Sequence, residues 1–139
     1  MISYDDVTVG TELPTRSFPV TRADLVRYAG ASGDFNPIHW NQRVATSVGL
    51  PDVIAHGMLT MGLAARAVTD WAGDPAAVRD FTVRFARPVV VPDTDEGTAV
   101  AVSGVVRRTL DDRQVVVDLT VSAAGTKVLG QARATVRLG

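Results

Sequence analysis

Cysteine is missing altogether from the 139 residues, which removes disulfide frameworks, thiolate nucleophiles and sulfur-ligated metals from consideration. Histidine is nearly missing too. His39 and His56 are the only two, too few for a three-histidine zinc site, and they form no His-x-x-x-His pair, so no metal is expected. Long apolar runs are also lacking: no stretch approaches the ~18 residues of a membrane span. Nor does the N-terminus carry a basic region followed by an apolar one, and the simplest expectation is a cytoplasmic protein without a membrane partner. Lysine is almost unused, Lys127 being the single one among 14 basic residues. With a net charge of −1 there is no clustered basic excess to neutralise phosphates, which argues against nucleic acid as a partner.

What is present suits one ordinary globular unit, a single domain over residues 1–139. A hydrophobic fraction of 46% against 21% charged residues is enough for a core and too apolar for disorder. Residues 1–78 hold 5 basic and 8 acidic side chains, and residues 79–139 hold 9 and 7. The second part is therefore mildly positive, a weak bias toward an anionic ligand or carrier.

The periodicities divide the chain into a mixed first part and a β-rich second part. Thr21 with Asp24 fits a capping box, Val20 and Leu25 fit a hydrophobic staple, and Gly30 is expected to end this first helix. From Met58 to Ala72 nearly every residue is apolar or small, and Gly73-Asp74-Pro75 stops the run. A helix apolar on most sides must be covered on most sides. Beyond it the pattern has period two: Phe81, Val83 and Phe85; Val100, Val102, Gly104 and Val106; Val115, Val117, Leu119 and Val121. The last stretch sets Val128, Gly130, Ala132, Ala134 and Val136 against Leu129, Gln131, Arg133, Thr135 and Arg137. Asp111-Asp112 and Ala124-Gly125-Thr126 read as hairpin connections. With a strand around residues 11–18, these give an α+β fold of five strands and one long helix. A lone protomer of this kind leaves sheet edges bare, so pairing into a dimer is expected.

Chemistry concentrates in Gly33-Asp34-Phe35-Asn36-Pro37-Ile38-His39 and in Ala55-His56-Gly57-Met58. The first places a carboxylate and an imidazole five residues apart on a stiff loop. The second puts a glycine N–H at the head of the long helix, where it lacks an intrahelical partner and the dipole favours negative charge. An acid, a base and an oxyanion donor are what proton transfer beside a carbonyl requires. Taken singly, Asp34 reads as a turn carboxylate and His39 as a structural histidine; their joint spacing reverses both readings. Asn36, biased toward an extended conformation by Pro37, either orients Asp34 or its water through its amide or simply makes an Asn-Pro turn. His56 is a supporting residue that either meets substrate or shapes the helix entry. Tyr28, Trp40 and Met58 either line a ligand channel or belong to the core.

The run from Tyr28 to His39, with Ala45 six residues beyond, resembles the hydratase motif of the MaoC-like dehydratase and (R)-specific enoyl-CoA hydratase family, and Ala55-His56-Gly57-Met58 resembles that family's second element. Among its members the chain is most similar to the small actinobacterial (3R)-hydroxyacyl-thioester dehydratase subunits. The resemblance implies a hot-dog fold, a five-stranded antiparallel sheet wrapped around the long helix. It implies reversible syn addition or removal of water at an acyl-CoA or acyl carrier protein thioester in acyl metabolism, without a cofactor. Asp34 and His39 would flank the water as a coupled pair, with Gly57 as the oxyanion donor. In hydration Asp34 would act toward water and His39 toward Cα, or the reverse. Arg84 and Arg87, with Arg107 and Arg108, are candidates for the carrier's phosphates or acidic surface, against the plain reading of solvated strand arginines.

Other readings stay open. A hot-dog thioesterase would direct water at the carbonyl carbon instead. A non-catalytic acyl-binding subunit would need no dyad at all. The family also pairs an active chain with one that has lost the dyad, so a homodimer and a heterodimer with a second hot-dog subunit, in which this chain would be the active one, both remain.

Overall fold

The computed structural model describes residues Met1–Gly139. One antiparallel sheet in the order β1-β3-β4-β5-β2 curves around a central helix. Strand β1 is Glu12–Val20, β2 Val78–Phe85, β3 Thr98–Leu110, β4 Gln114–Ala123 and β5 Thr126–Arg137; helix α1 is Arg22–Ser32, α2 Gln42–Ser47 and α3 Gly57–Ala72. No helix is long and apolar enough to cross a membrane.

The capping box at the start of α1 forms as expected: the Thr21 hydroxyl accepts from Asp24 N–H and the Asp24 carboxylate accepts from Thr21 N–H. Those bonds hold the Asp24 carboxyl below its ordinary pKa, the Thr21 N–H contributing most. The helix does not stop at Gly30. It runs to Ser32, and Gly33 takes the left-handed conformation, φ 75°, that ends it. A helix-interior glycine is merely unfavourable, whereas a positive φ is what breaks the ladder, so the two extra residues carry the chain straight into the Asp34 loop.

In the two hairpins the left-handed turn residues are Asp112 (φ 58°) and Arg113 (φ 56°), then Ala124 (φ 48°) and Gly125 (φ 73°). Helix α3 packs against β1, β2, β3 and β5 and buries Thr60, Ala64, Ala67, Val68 and Ala72, the apolar ones in one core with the valines of β3 and β4. Strand β5 departs from strict alternation. Gln131, at φ 47°, forms a bulge that shifts its register with β2 and β4 and turns Leu129 inward to 1% exposure, although the alternation puts it on the outer set.

Coverage is incomplete on one side. Phe85, expected to share a buried face with Phe81 and Val83, is 54% exposed, and Met58 on the first turn of α3 is 59% exposed. The two sheet edges also differ. β1 carries Pro14 and Pro19, which offer no edge donors, whereas β2 has no proline.

Candidate active site

Two short segments pack together to make the site. The first follows Gly33. Asp34 Oδ1 accepts from Asn36 N–H at 3.1 Å, and Asn36 Oδ1 accepts from Ile38 N–H at 3.3 Å, opening a single 3-10 turn over Pro37–His39. The sequence left Asn36 two roles, orienting Asp34 or its water through the amide or making an Asn-Pro turn. In the structure the backbone N–H orients Asp34, and the side chain caps the turn. The second segment, residues 52–56, is held from two sides: Ile54 N–H donates to Ile38 O (3.2 Å), Ala55 N–H to Val89 O (2.8 Å), and Val91 N–H to Val53 O (2.9 Å). Arg22 fastens it further by donating to Asp52 at 2.9 Å and to the Val91 carbonyl.

This clamped backbone sets the chemistry of His39. Its Nδ1 lies 2.7 Å from Ile54 O, and a carbonyl only accepts, so Nδ1 carries the proton and Nε2 is the free nitrogen. Nε2 lies 3.9 Å from Asp34 Oδ2, beyond a direct hydrogen bond and close enough for both atoms to bond one small molecule between them. His39 is buried while the Asp34 side chain is 51% exposed.

His56 lies beneath. Its ring stacks on His39 (centroids 3.8 Å, 23° between planes) and is tilted against Tyr28 at 4.7 Å. Nε2–H donates to the Asp34 carbonyl at 3.1 Å, and Nδ1 is sealed without a partner. Burial, the leading cause, lowers the His56 pKa from its ordinary 6.5, opposed by the bond to Asp34 and reinforced by the neighbouring His39. A neutral ring thus braces both halves of the pair. Asp34, His39 and His56 place one potential ligand atom each within 4.8 Å of one another. Rings stacked in parallel direct their in-plane lone pairs side by side instead of toward one point, and the sealed His56 Nδ1 faces no opening. This arrangement suits a hydrogen-bonded network better than a metal.

Gly57 begins α3 with no side chain capping the helix, so its N–H is available. Gly57 and His39 line a cavity of about 280 Å³ whose walls also hold the half-buried Ile54 and the buried Ala55, Thr60 and Leu129, with the exposed Phe85, Ala86, Arg87 and Pro88 at its lip. A Cβ on Gly57 would sit 3.0 Å from the Phe85 ring and push against it, whereas glycine leaves both that contact and access to the N–H undisturbed. Of the other candidates, Arg87 borders this cavity. Tyr28 lines a separate groove with Phe18, Leu59 and Leu63. Trp40 is exposed and donates from its indole to Phe35 O. Met58 and Arg84 do not line the cavity either. Thr60, Phe85 and Leu129 had not been singled out as site residues. Thr60 did leave a signal, as a polar residue one turn after Gly57 in a helix otherwise apolar there.

A carboxylate–imidazole pair beside a helix N-terminus, backed by a second stacked imidazole, defines a class, and comparison with known proteins names it. The MaoC like domain family matches residues 6–125, and the chain belongs to that family; its fold is the hot-dog fold of its structural neighbours. The chain is 30% identical over 134 residues to the (R)-specific enoyl-CoA hydratase of Rhodospirillum rubrum, covering 96% of this chain and 89% of that one. It is 47% identical over 81 residues to 3-hydroxyacyl-thioester dehydratase X of Mycobacterium tuberculosis, covering 58% of this chain and 28% of the relative. A solved MaoC-like dehydratase superposes with a TM-score of 0.95 at 46% identity, over 99% of this chain and 42% of that one. The R-hydratase PhaJ1 of Pseudomonas aeruginosa gives 0.83 at 27% identity, over 99% and 87%. The chain therefore spans less than half the length of the dehydratase X and of the first of these structures.

Proposed function

We propose that this chain is a (3R)-hydroxyacyl-thioester dehydratase, equivalently an (R)-specific enoyl-thioester hydratase, with residues 1–139 acting as one MaoC-like unit on acyl-CoA or acyl carrier protein substrates. The observation that carries the reading is the 3.9 Å separation of His39 Nε2 and Asp34 Oδ2 beside the free N–H of Gly57. One water held by both atoms adds its hydroxyl to Cβ while a proton reaches Cα on the same face. The pair takes one proton and gives one, so it ends as it began. Charge that develops on the thioester oxygen meets the Gly57 N–H and the positive end of α3. Each step uses side chains and backbone alone, with no cofactor and no metal. His56 and Asn36 position the pair, and Arg87 at the lip offers a cation to the carrier. The names of the relatives, which describe hydratases and dehydratases of acyl thioesters, support the same reaction, and a cytoplasmic location accords with it.

We assign the working form to a homodimer paired through the open β2 edge. Phe35, Trp40, Met58 and Phe85, all exposed, come from the loop, helix turn and strand end around the half-exposed Asp34, where a second copy would exclude water. A Mycobacterium tuberculosis relative that covers 94% of this chain at 31% identity is named 3-oxo-4,17-pregnadiene-20-carboxyl-CoA hydratase beta subunit, so a second hot-dog subunit in place of the second copy is the alternative.

The test is to give purified protein crotonyl-CoA and follow enoyl absorbance and free thiol together. Loss of absorbance without thiol, yielding the (3R)-hydroxy product, is expected. Thiol release without hydration would make the protein a thioesterase, and activity only with a second hot-dog protein would replace the homodimer by the heteromer.

A further inference from the structure

Two polar groups on the wall that α3 presents to the cavity have no protein partner: the Gly57 N–H and, one helical turn on, the Thr60 hydroxyl. Thr60 is 3% exposed and lines the cavity together with His39 and Gly57. A helical threonine usually bonds a carbonyl three or four residues back, as Thr46 does to Gln42 O and Thr69 to Arg66 O in this chain. For Thr60 the carbonyl four back is that of His56, which instead accepts the N–H groups of Leu59 and Thr60. The hydroxyl has no protein partner and opens into the cavity beside Ala55, Val89 and Leu129. A hydroxyl so placed is served by cavity water in the free protein and is free to bond a polar ligand group that displaces that water.

We propose that Thr60 binds the carrier arm of the thioester by hydrogen-bonding the amide nearest the sulfur. This rests on the hydratase reading above. With the thioester oxygen at Gly57, Thr60 lies roughly 4.5 Å further along the helix axis, three residues at ~1.5 Å each. On the acyl side the first polar group is the 3-oxygen, which belongs to Asp34 and His39, and an alkyl chain beyond it has none. On the sulfur side the arm common to coenzyme A and acyl carrier protein brings an amide four bonds from the carbonyl carbon. Its N–H and C=O both match a hydroxyl, which donates or accepts, and the arm then leaves past the lip at Arg87.

The experiment offers crotonate as its N-acetylcysteamine thioester, which keeps that amide, and as its S-butyl thioester, which lacks it. Thr60→Val should lower kcat/KM on the first by about tenfold, the usual scale for one unpaired hydrogen bond, and leave the second within about twofold. Thr60→Ser should keep the wild-type ratio. Equal losses on both thioesters would assign Thr60 a packing role and overturn the proposal, as would no loss on either, or a change that follows acyl length instead. Wild-type protein that hydrates neither these thioesters nor crotonyl-CoA would overturn the hydratase reading itself, whereas active wild type with an unaltered ratio in Thr60→Val would remove only the Thr60 contact.

Discussion

Strands β3 to β5 bury Val100, Val102, Val106, Val115, Val117, Val121 and Val136, whereas the segment from Gly33 to Gly57 buries two imidazoles and fixes each by one hydrogen bond to a backbone carbonyl. The sheet is held by many weak and replaceable contacts. The site depends on a few directional ones, and losing one of them changes where a proton sits. Damage should therefore separate: site substitutions lower turnover and spare stability, and sheet substitutions do the opposite.

Asp34→Asn tests the site side most severely. Its fold should persist, with the melting temperature close to wild type, while crotonyl-CoA hydration falls at least ~10²-fold, the scale of a lost general acid or base; near-normal turnover would remove Asp34 from the mechanism. Val117→Ala is the matching change in the sheet. Val117 is fully buried, and deleting two methyl groups there should lower stability by about 2 kcal/mol in urea melts, with turnover per folded molecule unchanged at low temperature. Gly57→Ala sharpens the contrast, since the new Cβ meets the Phe85 ring without entering the core. We expect kcat to fall about tenfold and KM to move less, as for a group acting mainly on the transition state; a pure rise in KM would contradict the oxyanion role.

Acid should reveal the cost of the buried ring. The His56 pKa is lowered in the fold from 6.5, so below that value the unfolded chain binds a proton that the native protein refuses. Stability is then full above about pH 6.5 and declines as pH falls toward the folded pKa. Urea melts at pH 7.5 and 5.5 on wild type and His56→Gln should show a shallower decline in the variant; equal slopes would mean that His56 does not carry the effect. Smallest of all is Ala124→Gly in the β4–β5 turn, where φ is 48°. Relief of the left-handed strain should raise stability by about 0.5 kcal/mol with activity untouched.

Much of this contrast was legible in the residues. Valine alternation announced the strands because side-chain period and sheet pleat coincide, Thr21 with Asp24 announced the start of α1, and the Asp34–His39 spacing announced the pair. The inward turn of Leu129 was not legible, because the bulge at Gln131 depends on matching β5 to two neighbouring strands at once. The tautomer of His39 depends on the Ile54 carbonyl, a backbone atom that no residue type advertises. The stack of Tyr28, His56 and His39 joins an α1 side chain to two distant segments, which only tertiary packing brings together.

The prolines of β1 have a consequence for assembly in solution. In the homodimer proposed above, joined through β2, both outer rims are β1 strands in which Pro14 and Pro19 interrupt the row of donors. That arrangement would disfavour further strand addition, so a β-rich dimer of this kind would keep its exposed ladder from seeding fibres.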